Sequence, residues 1–182
     1  MVAFDPKKYA VTLKLIFLKA VYETFPDIEV EIDHSLNNGT YGTVTRGEKI
    51  TEEGIKKIDK KMQEIIEKGY PIRLICQDND ALKSRSSTIP RKDIRTLLDN
   101  SGWTGMMEYE IDGYFDFIYE VPYSSTKDVK LYEISVYNGG FLIKYPTKNP
   151  NELPPYIDNP KMAKVFQETG RWNDILDVST IG

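Results

Sequence analysis

One histidine, one cysteine and a scatter of hydroxyls are the side chains of this 182-residue chain whose chemistry reaches beyond packing. His34 closes the first predicted strand, between Asp33 and Ser35. General acid–base work needs a proton partner within hydrogen-bond reach. In a regular strand neighbouring side chains point to opposite faces, so Asp33 and Ser35 turn away from the imidazole. The arrangement reads more simply as a histidine that stabilises a turn. Cys76 falls in an apolar strand, where a buried thiol is inert. No Gly-x-Ser-x-Gly elbow and no Gly-x-x-x-x-Gly-Lys-Ser/Thr loop occurs, which removes the common serine-hydrolase and phosphate-cradling designs. A zinc site takes several His or Cys ligands, and no compact Asp/Glu cluster stands in for them. The residues therefore supply no catalytic set and no metal set.

Binding is what remains, and two groups of residues are candidates. One is polar and uncharged: His34 and Ser35, Tyr41 on the returning strand, and the hydroxyl-rich connection Tyr123, Ser124, Ser125, Thr126. That connection could line a ligand cleft, and a plain turn explains it equally well. The other group is basic. Lys83, Arg85, Arg91, Lys92 and Arg95 surround a polar loop at 77–87, and Arg85, Arg91 and Arg95 are the candidates for an RNA or phosphate contact. A solvated surface accounts for the same charges.

The elements that must carry these residues are legible. Residues 5–24 have a helical pattern that is apolar over most of its circumference, leaving Lys7, Lys14 and Lys19 as a narrow wet stripe. Such a helix packs centrally, covered on more than one side. Ile28, Val30 and Ile32 alternate with acidic residues as a strand does, Asn38-Gly39 suits a tight hairpin turn, and Tyr41 to Thr45 returns antiparallel. Thr51 is placed as an N-cap with Glu52 and Glu53 in the first turn. Ile55, Ile58, Met62, Ile65 and Ile66 form the buried stripe of the helix that follows, and Gly69 ends it. Residues 71–76 read as a strand and 88–100 as a short helix. Two further hairpins turn at Asp112-Gly113 and Asn138-Gly139-Gly140, with aromatic-rich strands that fill a core. Five prolines in 146–160 predict an extended arm before a last helix over 161–177. The ending Val178 to Gly182 reads as an excised piece more than a natural C-terminus.

A net charge of −4 argues against a generic nucleic-acid coat, though not against a local basic patch. A lone cysteine forms no internal disulfide, and no apolar run approaches the ~20 residues that span a bilayer. These totals predict a soluble cytoplasmic protein with no membrane partner. The expected class is α+β: an antiparallel sheet packed against helices over residues 1–146, then a proline-rich arm and helix over 147–182.

The order of the segments goes further than any one of them. Phe25-Pro26-Asp27, the hairpin, and Thr51-Glu52-Glu53 leading to Lys68-Gly69-Tyr70-Pro71 resemble the editing-type second additional domain of threonyl-tRNA synthetases. Asp33 to Leu36, Glu110 to Asp116, Val121-Pro122 and Gly140 to Pro146 resemble the N-terminal region of bacterial uridine-kinase-like nucleoside kinases. In those proteins the module precedes a P-loop kinase domain, and the closing run from Pro160 to Ser179 is similar to the junction before it. The resemblance implies the editing-domain fold. It also places Val11 and Leu15 where the synthetase domain has a His-x-x-x-His pair, and the second pair, Cys-x-x-x-His, has no counterpart. The resemblance thus implies a non-catalytic accessory module, ligand-binding or regulatory, whose partner is a downstream kinase of the same chain. ATP and magnesium are expected only for that kinase, with no cofactor in this piece. The alternative is a tRNA-binding or residual aminoacyl-tRNA deacylase module, with tRNA or a small molecule as ligand.

Overall fold

The computed structural model describes residues 3–36, 39–84 and 105–155, together with Lys161. The predicted helix over 88–100, all but Lys161 of the one over 161–177, and Asn38 of the first turn lie outside the described residues. Helix α1 (Pro6–Thr24) starts at Asp5, whose carboxylate accepts from Lys7 N at 2.9 Å and Lys8 N at 3.2 Å, with Pro6 in the first turn. Strands β1 (Glu29–Leu36) and β2 (Gly39–Arg46) form the expected antiparallel hairpin. Helix α2 (Glu52–Lys68) is capped by Thr51, which accepts from Gly54 N at 3.1 Å. It stops at Gly69, whose φ of 65° is the left-handed conformation that favours glycine.

Strand β3 (Arg73–Cys76) is followed by a short helix α3 (Asn79–Ser84). The hairpin of β4 (Met107–Ile111) and β5 (Tyr114–Ile118) turns through Asp112 and Gly113, both at positive φ. After a 3-10 turn (Thr126–Asp128), β6 (Glu133–Tyr137) and β7 (Gly140–Lys144) turn through Asn138 and Gly139 in the same way.

The strands make two antiparallel sheets instead of one: a four-stranded sheet in the order β1-β2-β7-β6 and a three-stranded sheet β3-β4-β5. The class is α+β, as the patterning implied. Helix α1 serves both sheets. Leu13, Ile16, Phe17 and Ala20 share a core with the α2 stripe and with Ile32, Phe141 and Ile143 of the first sheet. The Phe17 and Phe141 rings stand 4.8 Å apart. Leu15 packs the other way, onto Ile72, Tyr109, Ile111 and Ile118. A helix buried on two sides needs apolar groups around most of its girth, which is what residues 5–24 supply.

Three sequence expectations are corrected. Lys19 is not on a wet stripe: it is 2% exposed, 2.6 Å from Glu23 Oε1 and 3.2 Å from the Asp112 carbonyl. Its aliphatic stem lies in the core while its ammonium meets oxygen at the edge. The polar loop contains a helix, because Asp78 Oδ1 accepts from Ala81 N at 2.7 Å and Leu82 plugs the core beneath. The strand of Cys76 is not buried, since Leu74 and Ile75 are each about half exposed at the edge of the three-stranded sheet.

Candidate functional site

Two hollows of the described residues have linings that differ in kind. The first, about 260 Å³, is bounded by Tyr70, Pro71, Arg73, Glu110, Asp112 and Gly113. Its charges are already engaged: Arg73 reaches Glu110 at 3.9 Å, and Asp112 faces Lys19 at 4.0 Å. The second, about 250 Å³, opens between the first half of α1 and the four-stranded sheet.

Helix α1 gives the second cleft Val11 and Lys14, the first sheet gives Ile32, Ser35, Thr40 and Ile143, and Glu120 and Tyr145 complete the rim. The helical rise sets which α1 residues reach it. Val11 and Lys14, three apart, both line it; Leu15, one turn beyond Val11, is 1% exposed in the second core and does not line the cleft, while Val11 packs against that core as well as bordering the cleft. Lys14 is held by a bond from its Nζ to the Ile32 carbonyl at 2.8 Å. Thr40 and Tyr145 join hydroxyl to hydroxyl at 3.2 Å. Apolar walls with a few convergent polar groups are the usual make-up of a small-molecule site.

The residues singled out from sequence divide between this cleft and the scaffold. Ser35 lines the cleft. His34 pairs with Tyr41 in the β1–β2 ladder, and that ladder shifts register between Ile32 and His34, so a regular alternation does not run through Asp33. Tyr41 is fully buried, edge-on to Tyr137, with its hydroxyl donating to the Asn138 carbonyl at 3.2 Å. Burial raises its pKa, and Tyr137 adds to the shift.

The connection from Tyr123 to Thr126 works as a clamp between helices. Tyr123 N donates to Thr12 Oγ1 at 2.8 Å, and its hydroxyl accepts from Asp5 N at 2.7 Å. The Ser124 carbonyl accepts from Ile72 N at 2.9 Å, and Ser125 Oγ caps the 3-10 turn by accepting from Lys127 N. Thr126 Oγ1 donates to the Ile65 carbonyl at 2.9 Å, a carbonyl in the last turn of α2 that also accepts from Gly69 N at 3.3 Å. None of these four lines the cleft. Arg85, Arg91 and Arg95 lie outside the described residues.

Lys14, Thr40, Glu120 and Tyr145 were not candidates from sequence, although all four line the cleft. Only Lys14 carried a signal there, as a lysine interrupting an otherwise apolar helix. Among the described residues no cluster of three or more His, Cys, Asp or Glu gathers as a metal site, and no helix is long and apolar enough to cross a membrane.

No protein-family model matches the chain. The threonine–tRNA ligase of Burkholderia lata is 31% identical over 99 residues, covering 48% of this chain and 16% of that enzyme. The Burkholderia ambifaria enzyme is 32% identical over the same length. A shorter stretch of 57 residues is 42% identical to the enzyme of Ruegeria sp., covering 31% of this chain and 9% of the enzyme. Part of this chain is related to threonine–tRNA ligases. It spans at most 16% of the length of the ligases named here, so the relation concerns a region and not a whole enzyme. These relatives are ligases, and the kinase side of the sequence resemblance has no counterpart among them.

Against that relation the Val11 wall gains meaning. The resemblance puts the first histidine of a hydrolytic pair at Val11, and Val11 does line a cleft. The second position, Leu15, does not reach it. A hydrocarbon in place of imidazole can neither move a proton nor hold a metal-bound water.

Proposed function

We propose that this chain is a tRNA-related module that binds the aminoacyl end of tRNA in the cleft between α1 and the four-stranded sheet without hydrolysing the ester. The similarity of about half the chain to threonine–tRNA ligases carries the reading. The composition of the cleft supports it: apolar walls, Lys14 and three hydroxyl groups suit the capture of a small polar ligand, while Val11 provides no general base. A cytoplasmic location follows from such a role. The relatives favour this reading over an accessory module of a nucleoside kinase, which rests only on the sequence resemblance of Asp33 to Leu36, Glu110 to Asp116, Val121-Pro122, Gly140 to Pro146 and the run from Pro160 to Ser179.

Two measurements test it. Labelled tRNA should bind with an affinity that falls steeply as salt is raised, because contacts to phosphate release counterions. Changing Arg85, Arg91 and Arg95 together should weaken that binding. Mischarged seryl-tRNA should survive with the protein as long as in buffer. Hydrolysis above the buffer rate that disappears in His34→Ala would instead establish a residual deacylase. Absence of tRNA binding at low salt would remove the reading.

A further inference from the structure

We propose that the cleft between α1 and the four-stranded sheet selects its guest by a free ammonium held by the Glu120 carboxylate, so that it takes an aminoacyl group only while the amine is unblocked. Two charged residues line this hollow, and they differ in what is left to them. Lys14 Nζ is committed to the Ile32 carbonyl at 2.8 Å, and the residue has a further partner, so its charge belongs to the wall. Glu120 makes no ion pair and no hydrogen bond with any described residue. Its chain neighbours Tyr119 and Val121 are each about half exposed, so solutes reach the segment that carries it. The unspent charge of the cleft is therefore negative.

The rest of the lining sets the kind of cation. Among the described residues no cluster of three or more His, Cys, Asp or Glu gathers, and a lone carboxylate is a poor metal site. An organic ammonium suits it better. Such a group brings three donors, and Glu120 with the hydroxyls of Ser35, Thr40 and Tyr145 supplies acceptors. The committed Lys14 repels a second cation from the α1 wall, which leaves the Glu120 side as the favourable place for it. Val11, Ile32 and Ile143 offer methyl groups to a short side chain. The volume of about 250 Å³ falls below the roughly 300–1,000 Å³ of sites for drug-sized ligands, which fits such a guest. One charged contact is enough for the discrimination, and the ester or amide end of the guest needs no charged partner. The inference rests on the reading that this cleft is the module's ligand site, and it adds which chemical group is read.

The test is calorimetric titration of the full chain, without tRNA and at mildly acidic pH, with two amines and their neutral counterparts: L-threoninamide against N-acetyl-L-threoninamide, and L-alaninamide against L-lactamide, which has a hydroxyl in place of the amine. At least one amine should bind saturably at millimolar concentration. Its neutral counterpart should be weaker by about five- to tenfold, between the worth of an exposed ion pair and that of a charge-assisted hydrogen bond. In Glu120→Gln that preference should vanish, with thermal unfolding showing that the variant remains folded. No saturable binding of either amine, equal binding of amine and counterpart, or a preference that persists in folded Glu120→Gln would each overturn the proposal. Labelled tRNA titrated into the same preparations separates the two readings. Amine binding that depends on Glu120, without tRNA binding, refutes the tRNA role alone; tRNA binding without the amine preference refutes only the ammonium site.

Discussion

The ammonium of Lys19, on the central helix, lies 3.2 Å from the backbone carbonyl of Asp112, in the turn of the β4–β5 hairpin. Across 93 positions of sequence it fastens the helix to the three-stranded sheet, with Glu23 as its counter-ion at 2.6 Å. Lys19 is buried but Glu23 is one-third exposed, so this pair stands between the buried and the surface case. Lys19→Ala should cost about 2 kcal/mol, between the 3–5 of a fully buried pair and the less than 1 of an exposed one. Lys19→Met retains the packed stem and should recover at least half of that loss. Equilibrium urea unfolding of the three proteins reads the difference.

Histidine should be tolerated at one of the two helical positions and not at the other. Val11 borders the cleft, where an imidazole can reach water, so Val11→His should change stability by no more than about 1 kcal/mol. Leu15 is 1% exposed among Ile72, Tyr109, Ile111 and Ile118. There an imidazole loses hydration without gaining a partner, and Leu15→His should cost about 3 kcal/mol. Denaturant midpoints check both, and the double variant should lack deacylase activity.

Thr12 holds the Tyr123 connection to α1. Its hydroxyl accepts from Tyr123 N at 2.8 Å and donates to the Lys8 carbonyl at 2.7 Å, and the residue is fully buried. Thr12→Val preserves the shape but leaves a buried N–H unpaired, which should cost about 1–3 kcal/mol. Thr12→Ser keeps the acceptor and should cost less. Amide hydrogen exchange at Tyr123 should accelerate in the valine variant and stay slow in the serine one.

Alkali should weaken the fold through its buried phenols. Burial, then the Asp59 carboxylate that its hydroxyl meets at 2.9 Å, raises the Tyr132 pKa above the ordinary 10.0. Burial likewise raises those of Tyr9 and Tyr41. A folded-state pKa above the unfolded one means that the unfolded chain loses its proton first. The stabilisation is therefore complete below pH 10 and declines as pH rises beyond it. The urea midpoint should fall between pH 10 and pH 11 in the wild type, and less steeply in Tyr132→Phe.

Local pattern carried far in this chain. The cap at Thr51, the stop at Gly69 and the Asp112-Gly113 turn each depend on a few neighbouring residues, and the structure shows each where its chemistry demands it. Where the pattern failed, distant groups intervened. Lys19 looked solvated because its helix alone does not reveal a carbonyl from residue 112 waiting beside it. Tyr123, Ser124, Ser125 and Thr126 looked like a ligand loop because hydroxyls read alike whether they meet a guest or a helix end. The partners of Thr126 and Tyr123 are Ile65, Thr12 and Asp5, all far away in sequence.

The sequence by itself determined helices α1 and α2, the hairpins and the α+β class, because hydrogen-bonding periods and turn conformations act over a handful of residues. It also determined that hydrocarbon stands at Val11 and Leu15. Only the tertiary structure decided that one of these borders a cleft while the other is sealed in a core. It alone brought Lys14, Thr40, Glu120 and Tyr145 to one hollow. Those side chains come from a helix, a strand and two connections. What unites them is the packing of α1 between two sheets, a relation set by contacts between parts of the chain that share no local pattern.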